Sequence, residues 1–405
     1  MPHLDSRHLA RFCLLRLAPC LLAAVLVTHT PAVAAQEAND ESHGRSLQLM
    51  IGDTGLGIGH VPRITGLRVN WSDQHLERVT GVNLTLWRAR PEGVGGQIRG
   101  LALGLAPQAG HLAGVGAGLG AVVGEESLTG LHAAGLASIA GESTRGIQLA
   151  GLAAISGEDT RGIQLGGLAA ISGEDTRGIQ LGGLAAISGE DARGVQAGGM
   201  AMIGGGNVRG LQAGGMAVVA GNELRGAQAA GLAVVGGDAM HGIQAAGLAT
   251  VAGGNARGLQ VGGLAVVAGG RMDGVQVGGI AVVSGCSMRG VQLSLGSVET
   301  NRADQRFGIP EAECPARGTT GLTAGGFRVV TPEARGITGA VGWISADEIR
   351  GLSAAGLQRS GLHVGLSVGL INWTDQLRGV QLGLLNRAGN NPAPFRVLPL
   401  LNVSL

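Results

Sequence analysis

Tyrosine is absent from the 405 residues, and Phe and Trp contribute only four residues each. The large, rigid side chains that build most ligand pockets are nearly missing, so whatever fills the interior is small or aliphatic. An excess of charge of one sign is missing too. The chain has 29 basic and 28 acidic residues, a formal net charge of +1, which removes the electrostatic case for a nucleic-acid partner. Proline is scarce at 12 residues, so the 77 glycines do not belong to a collagen-like chain, and an apolar content of 45% excludes a disordered linker. Long hydrophobic runs are also lacking: Leu21 to Val27 is far shorter than the roughly 20 apolar residues that a membrane-spanning helix needs.

What is there begins with a leader. Arg7, Arg11 and Arg16 precede that apolar run, and Pro31 and the small residues Ala32, Val33, Ala34 and Ala35 follow it, the order of a cleavable secretory signal ending near Ala35. Cys13 and Cys20 would leave with the leader, and the mature chain would keep Cys286 and Cys314. An exported chain with two cysteines implies one disulfide, and these two bracket the one long irregular stretch of the sequence.

Self-similarity dominates the remainder. Glycines recur every 16 residues from Gly114 through Gly130, Gly146, Gly162, Gly178 and onward to Gly290 without an insertion. Looser copies start at Gly66, Gly81 and Gly100 before this block, and at Gly321, Gly336, Gly351, Gly361 and Gly379 after it. The organisation expected is a leader at 1–35, a polar linker at 36–60 and a repeat array at 61–296. A looped-out insertion at 297–320 and divergent repeats at 321–405 follow. From Gly146 to Gly290 the third position of each unit is Gln: Gln148, Gln164, Gln180, Gln196, Gln212, Gln228, Gln244, Gln260, Gln276 and Gln292. Aliphatic and β-branched residues between Gly-rich, charged turns such as GEDTR favour strands, and this much Gly would penalise a helix by roughly 1 kcal/mol per residue.

Two all-β architectures accept a 16-residue period: a parallel β-solenoid with one unit per coil, and an up-and-down transmembrane β-barrel with one strand per unit. A barrel alternates short turns with long outer loops and carries aromatic girdles, whereas every turn here has one length and the girdle residues are missing. The unit GVQLGLLN at Gly379 to Asn386 matches GIQLGGLAA only with one residue deleted at the Gly-Gly step. A continuous strand would be flipped by that change, so the step reads as a bend between two short strands, and a parallel β-solenoid of 16-residue coils is expected. In this reading Ile163 and Leu165 point inward and Gln164 points outward, with the Gln column forming an amide ladder along the stack. The acids Glu158, Asp159, Glu174 and Asp175 lie beside Arg161 and Arg177 in the turns and offset them. Leu168 to Ile171 are apolar on both parities, which leaves an aliphatic strip that implies a partner, self-association or membrane contact.

Candidate chemical motifs dissolve into the repeat. GVGAGLG at Gly114 to Gly120 sits in register and lacks the context of a dinucleotide loop. The GED turns do not have the nonapeptide spacing of Ca²⁺-binding β-rolls, and the nearby Arg competes for them. His132 replaces a Gln of the ladder and His241 replaces a turn Arg; no His, Cys or carboxylate cluster has metal spacing. Four glycosylation tripeptides begin at Asn70, Asn83, Asn372 and Asn402 and are frequent by chance. No catalytic residues, metal or cofactor are expected.

GVQLGLLN at Gly379 to Asn386, GLSVGLIN at Gly365 to Asn372, RGLALGLAP, NLTLWRARPEG and the closing NNPAPFRVLPLLN carry a resemblance. The chain resembles bacterial exported surface-repeat proteins built from Gly-Leu-Gln-Leu-Gly-Leu-Val-Asn-like units, although its central block has Gly-Gly-Leu-Ala where those often have Gly-Leu-Val-Asn. The resemblance implies an envelope-associated protein without known catalytic residues. The function expected is a non-catalytic surface scaffold or adhesion module in the periplasm, outer membrane or cell surface, with an outer-membrane β-barrel of transport or structural role as the alternative. It would meet an envelope or surface partner, associate with itself through an apolar face, or contact the membrane.

Overall fold

The computed structural model describes residues 46–89, 95–300, 314 and 318–404. The expected leader, with its cleavage near Ala35, lies outside the described residues. All regular structure among the described residues is β-strand, arranged as stacked coils of a β-solenoid. The chain forms two compact units, one up to Gly199 with Ile203–Gly205, the other Met200–Met202 with Gly206–Leu405.

In the first unit each repeat supplies two strands, as in Thr160–Gly166 and Ala169–Ser172. Each pairs in parallel with its counterpart one unit on: Gly162 faces Gly178, Gln164 faces Gln180, and Ala170 faces Ala186. An up-and-down barrel pairs sequential strands antiparallel, so like-on-like parallel pairing excludes that alternative. The bend falls at Gly167 and Leu168, beginning at the second glycine of the Gly166–Gly167 step. The glycine that opens each unit has a different duty. Gly178 has φ 129°, and a Cβ there would run into the carbonyl oxygen of Gly162 in the preceding coil. Both the conformation and the approach require Gly.

The interior corrects the expected orientation of the first strand. Thr160, Gln164, Gly166, Ala170 and Ser172 face inward, while Ile163 and Leu165 face outward and Leu168 is exposed at the corner. A period of two is satisfied by either parity, and the hydrogen-bond inventory decides between them. The Gln164 amide Nε2 donates to Ala154 O at 3.1 Å and to Ile171 O at 2.9 Å on the facing wall, and to Gln148 Oε1 at 3.1 Å along the stack. Turned outward, it would lose the cross-wall bonds and leave those two carbonyls without the amide.

The first unit also starts earlier than the sequence suggests. Leu47–Ile51 and Thr54–Ile58 form an antiparallel hairpin inside the stretch read as linker, and the second of these strands pairs in parallel with Arg63–Asn70. The hairpin blunts the exposed edge of the first coil.

In the second unit the pattern repeats, with Gly226 on Gly242 and Gln244 on Gln260. The interior gains volume: Val218, Val234, Val266 and Val282 form one buried column, and Leu224, Met240, Met272 and Met288 another. Cys286 and Cys314 are disulfide-bonded with Cα atoms 5.3 Å apart. The coil before the insertion extends to Thr300, since Ser297–Thr300 pairs in register with Ala281–Ser284, and the array resumes at Gly318. The insertion is therefore narrower than 297–320. Beyond it, Arg328–Ala388 winds on without a break. The positive-φ glycines there are Gly336, Gly351, Gly365 and Gly379. Gly365 rather than Gly361 holds the column, because a Cβ on it would meet Gly351 O. Val397–Ser404 then turns back antiparallel on the strand from Gly379 and covers its edge.

Since a unit is one coil, deleting Gly162–Arg177 joins Arg161 to Gly178 in register. The shortened protein is expected to keep its β-type circular dichroism and a melting temperature within about 5 °C of the parent. Deleting eight residues from the same place puts a bend against a strand, and a large drop in melting temperature is expected.

Candidate interaction surface

All ten ladder glutamines are buried. In the first unit Gln180 Nε2 donates to Gln164 Oε1 at 3.0 Å, and register places Gln196 beside Gln180. In the second unit Gln228 donates to Gln212 at 2.7 Å, Gln244 to Gln228 at 2.8 Å and Gln260 to Gln244 at 2.9 Å. Gln276 and Gln292 continue the chain at 3.0 and 3.3 Å. Thr323 Oγ1 then donates to Gln292 Oε1 at 3.2 Å. These amides are an internal spine and are closed to a ligand.

A second polar feature, at the start of the first unit, escaped the sequence reading. Arg68 and Asn83 occupy the column that glutamine holds later, and both are fully buried with Asp73. Asp73 accepts from Arg68 at 2.8 Å, Asn70 at 2.8 Å and Asn83 at 2.9 Å through Oδ1. Through Oδ2 it accepts from the Thr85 hydroxyl at 2.8 Å and the Gln108 backbone N–H at 3.1 Å. Burial lowers the Arg68 pKa, and the Asp73 carboxylate opposes that shift. The signal in the sequence was the pair of tripeptides at Asn70 and Asn83. Both Asn side chains are buried, as are Asn372 and Asn402, so all four are withdrawn from the surface.

The histidines follow their register. His132 stands beside Gln148 and His241 beside Arg225. Burial pushes the His132 pKa down. His363, 1% exposed, is pushed down by burial to about 4, with a hydrogen bond involving the Leu366 backbone partly opposing. Among the described residues no three His, Cys, Asp or Glu side chains converge as metal ligands.

What faces outward is sharply divided. One edge of each coil is charged, and the Ser172 hydroxyl braces it from within hydrogen-bonding reach of two carbonyls, Glu158 O at 2.6 Å and Asp175 O at 3.0 Å. Along that edge in the first unit Arg161, Arg177 and Arg193 pair with Asp159, Asp175 and Asp191 at 2.9 to 3.0 Å. In the second unit Arg225 pairs with Glu223 at 2.6 Å and Arg335 with Glu333. The opposite edge is apolar. In the first unit it runs from Leu105 and Leu119 through Leu136 and Leu152 to Leu168 and Leu184, with Leu168 47% exposed. Trp71 and Trp87 stack at its beginning with centroids 6.5 Å apart. In the second unit Met216, Leu232, Leu248, Leu264 and Ile280 form the edge, Leu295 is 84% exposed, and Phe327 tilts onto Trp343 at 5.2 Å.

No protein-family model, curated protein or solved structure matches the chain.

Two outcomes are expected. Gln244→Leu strips Gln228 of a donor and Gln260 of an acceptor inside the coil, and urea unfolding should read a loss of about 2–4 kcal/mol. The folded state keeps His363 neutral while the unfolded chain takes a proton below roughly pH 6.5. Its contribution is therefore present above that pH and falls away towards pH 4, by about 3 kcal/mol in all. His363→Leu, which supplies the residue type found at Leu377 two residues before the next column glycine, should flatten the stability profile in that window.

Proposed function

We propose that this protein is an exported, envelope-associated repeat protein that acts without catalysis, as a surface scaffold or adhesion module. The observation that carries this reading is the disposition of its repeating polar groups. The amides are consumed inside the coils and the Arg–Asp pairs neutralise one another along one edge, so what the fold offers to other molecules is repeated surface. A solenoid suits that work, because a small contact made by one coil recurs about every 4.8 Å on the next. Export is supported by the order of basic, apolar and small residues in the first 35 positions. It is supported as well by the disulfide between Cys286 and Cys314, a bond that persists in oxidising compartments.

Fractionation of cells expressing the chain with its leader tests this. The expected result is a processed, disulfide-bonded protein in the envelope or medium. An unprocessed protein in the cytoplasm with Cys286 and Cys314 as free thiols would overturn the reading.

A further inference from the structure

The apolar edge of a coil is apolar on more than one side. In the first unit Ile163 and Leu165 face out from one wall, Ala169 and Ile171 from the other, and Leu168 caps the tip between them. From Leu105 to Leu184 the corners and the two outward positions nearest them on each wall carry no charge, and Arg145, Arg161 and Arg177 take the outward position of the first wall farthest from the corner. Stacked at about 4.8 Å per coil, these side chains make an apolar wedge on the order of 600 Å², at or above the largest patch of a typical soluble monomer. In the second unit the same wedge is built from Met216 to Phe327, interrupted on one wall by the Glu299–Arg328 ion pair.

Three features identify what covers it. First, a flat protein partner, including the face of a second copy, covers one wall and leaves the other wall wet, whereas the acyl boundary of a bilayer closes over both walls and the tip together. Second, the backbone at the tip is already satisfied. Leu152, Leu168 and Leu184 each donate to the preceding corner at 2.7 to 2.8 Å, as do Leu232, Leu248, Leu264 and Ile280 at 2.7 to 2.9 Å. Lipid contact therefore strands none of these corner donors, the condition that excludes most irregular backbone from hydrocarbon. Third, Trp71 and Trp87 lie on this edge in the first unit and Trp343, packed on Phe327, in the second; Trp is the amphipathic residue favoured at the headgroup level.

We propose that each unit seats this edge in the interfacial region of a phospholipid bilayer, lying on the membrane with the Arg–Asp edge in water. Insertion is driven by apolar area, since the far edge intersperses acids with arginines, Asp159–Arg161 and Asp175–Arg177 being ion pairs, and offers no purely basic surface to anionic lipid. The proposal deepens the envelope reading above and depends on it only for which membrane the protein meets.

The test is flotation of the purified chain with phosphatidylcholine vesicles and with vesicles that also contain phosphatidylglycerol. Both should carry most of the protein upward, within about two-fold of each other and without loss in high salt. Replacing Leu136, Leu152 and Leu168 of the first unit together with Leu232, Leu248 and Leu264 of the second by Gln, an uncharged change at exposed positions, should reduce the floated fraction by about ten-fold. Brominated acyl chains, which need no substitution, should quench the tryptophan emission. A wild-type chain that stays in the dense fraction, a discrete dimer that ignores vesicles, flotation only with anionic lipid, or Gln variants that float normally would each overturn the proposal. Failure here with correct export leaves the scaffold reading standing. Vesicle binding by a chain that is never exported would remove that reading and leave the lipid contact intact.

Discussion

The hydrogen bonds of the buried glutamine amides hold the two walls of a coil at one spacing and successive coils in one register. Gln164 shows how, with two bonds across to carbonyls of the facing wall and one along the stack to Gln148. An amide inside a thin protein is costly unless its donors and acceptors are used, and here the neighbouring coils supply the partners. The arrangement is therefore collective: each glutamine is affordable because the next coil has one too. Where the column changes identity the surroundings change with it, as at Arg68 and Asn83, which bring in Asp73 to complete their bonding.

The chemistry of the exterior follows from the same constraint. With amides, Ser, Thr, Gly and Ala taking much of the inward space, the Ile and Leu of the first strand have only the outward positions left. Wider columns such as Val266 and Met272 add apolar volume to the second unit, yet Leu264 and Ile280 still stand at the tip. The protein is thus polar along its internal spine and apolar over much of its walls, the reverse of the usual soluble arrangement. In the regular coils the charges gather at one edge, where Ser172 and its equivalents tie the turn to the coil. A scaffold with this cross-section has a built-in orientation, one edge for water and one for an apolar medium.

Much of this was legible in the residues. The unbroken period gave the coil, the one-residue deletion in GVQLGLLN gave the bend at the Gly-Gly step, and the two cysteines gave the disulfide. The glutamine ladder was visible as a column, but its side was not, because alternation along Gly162 to Gly166 reads the same from either face. Only the cross-wall carbonyls, which belong to other strands, choose between them. Gly361 was mistaken for a column glycine because the period shortens after Gly351, and only the contact of Gly365 with the preceding coil identifies the true member. The Asp73 cluster was hidden because its partners are spread from Arg68 to Gln108 and meet through stacking.

The inward amide and the outward isoleucine are the claim on which the rest stands, and single cysteines read it directly. Ile179→Cys and Gln180→Cys are adjacent, and in a chain begun at Gln36 the native cysteines that remain, Cys286 and Cys314, are held in a disulfide. In the folded protein a soluble thiol reagent should label position 179 rapidly and leave position 180 unmodified until denaturant is added. Rapid labelling at 180 with protection at 179 would turn the first strand over, placing the aliphatic residues inside and ending the account of both the ladder and the apolar wedge.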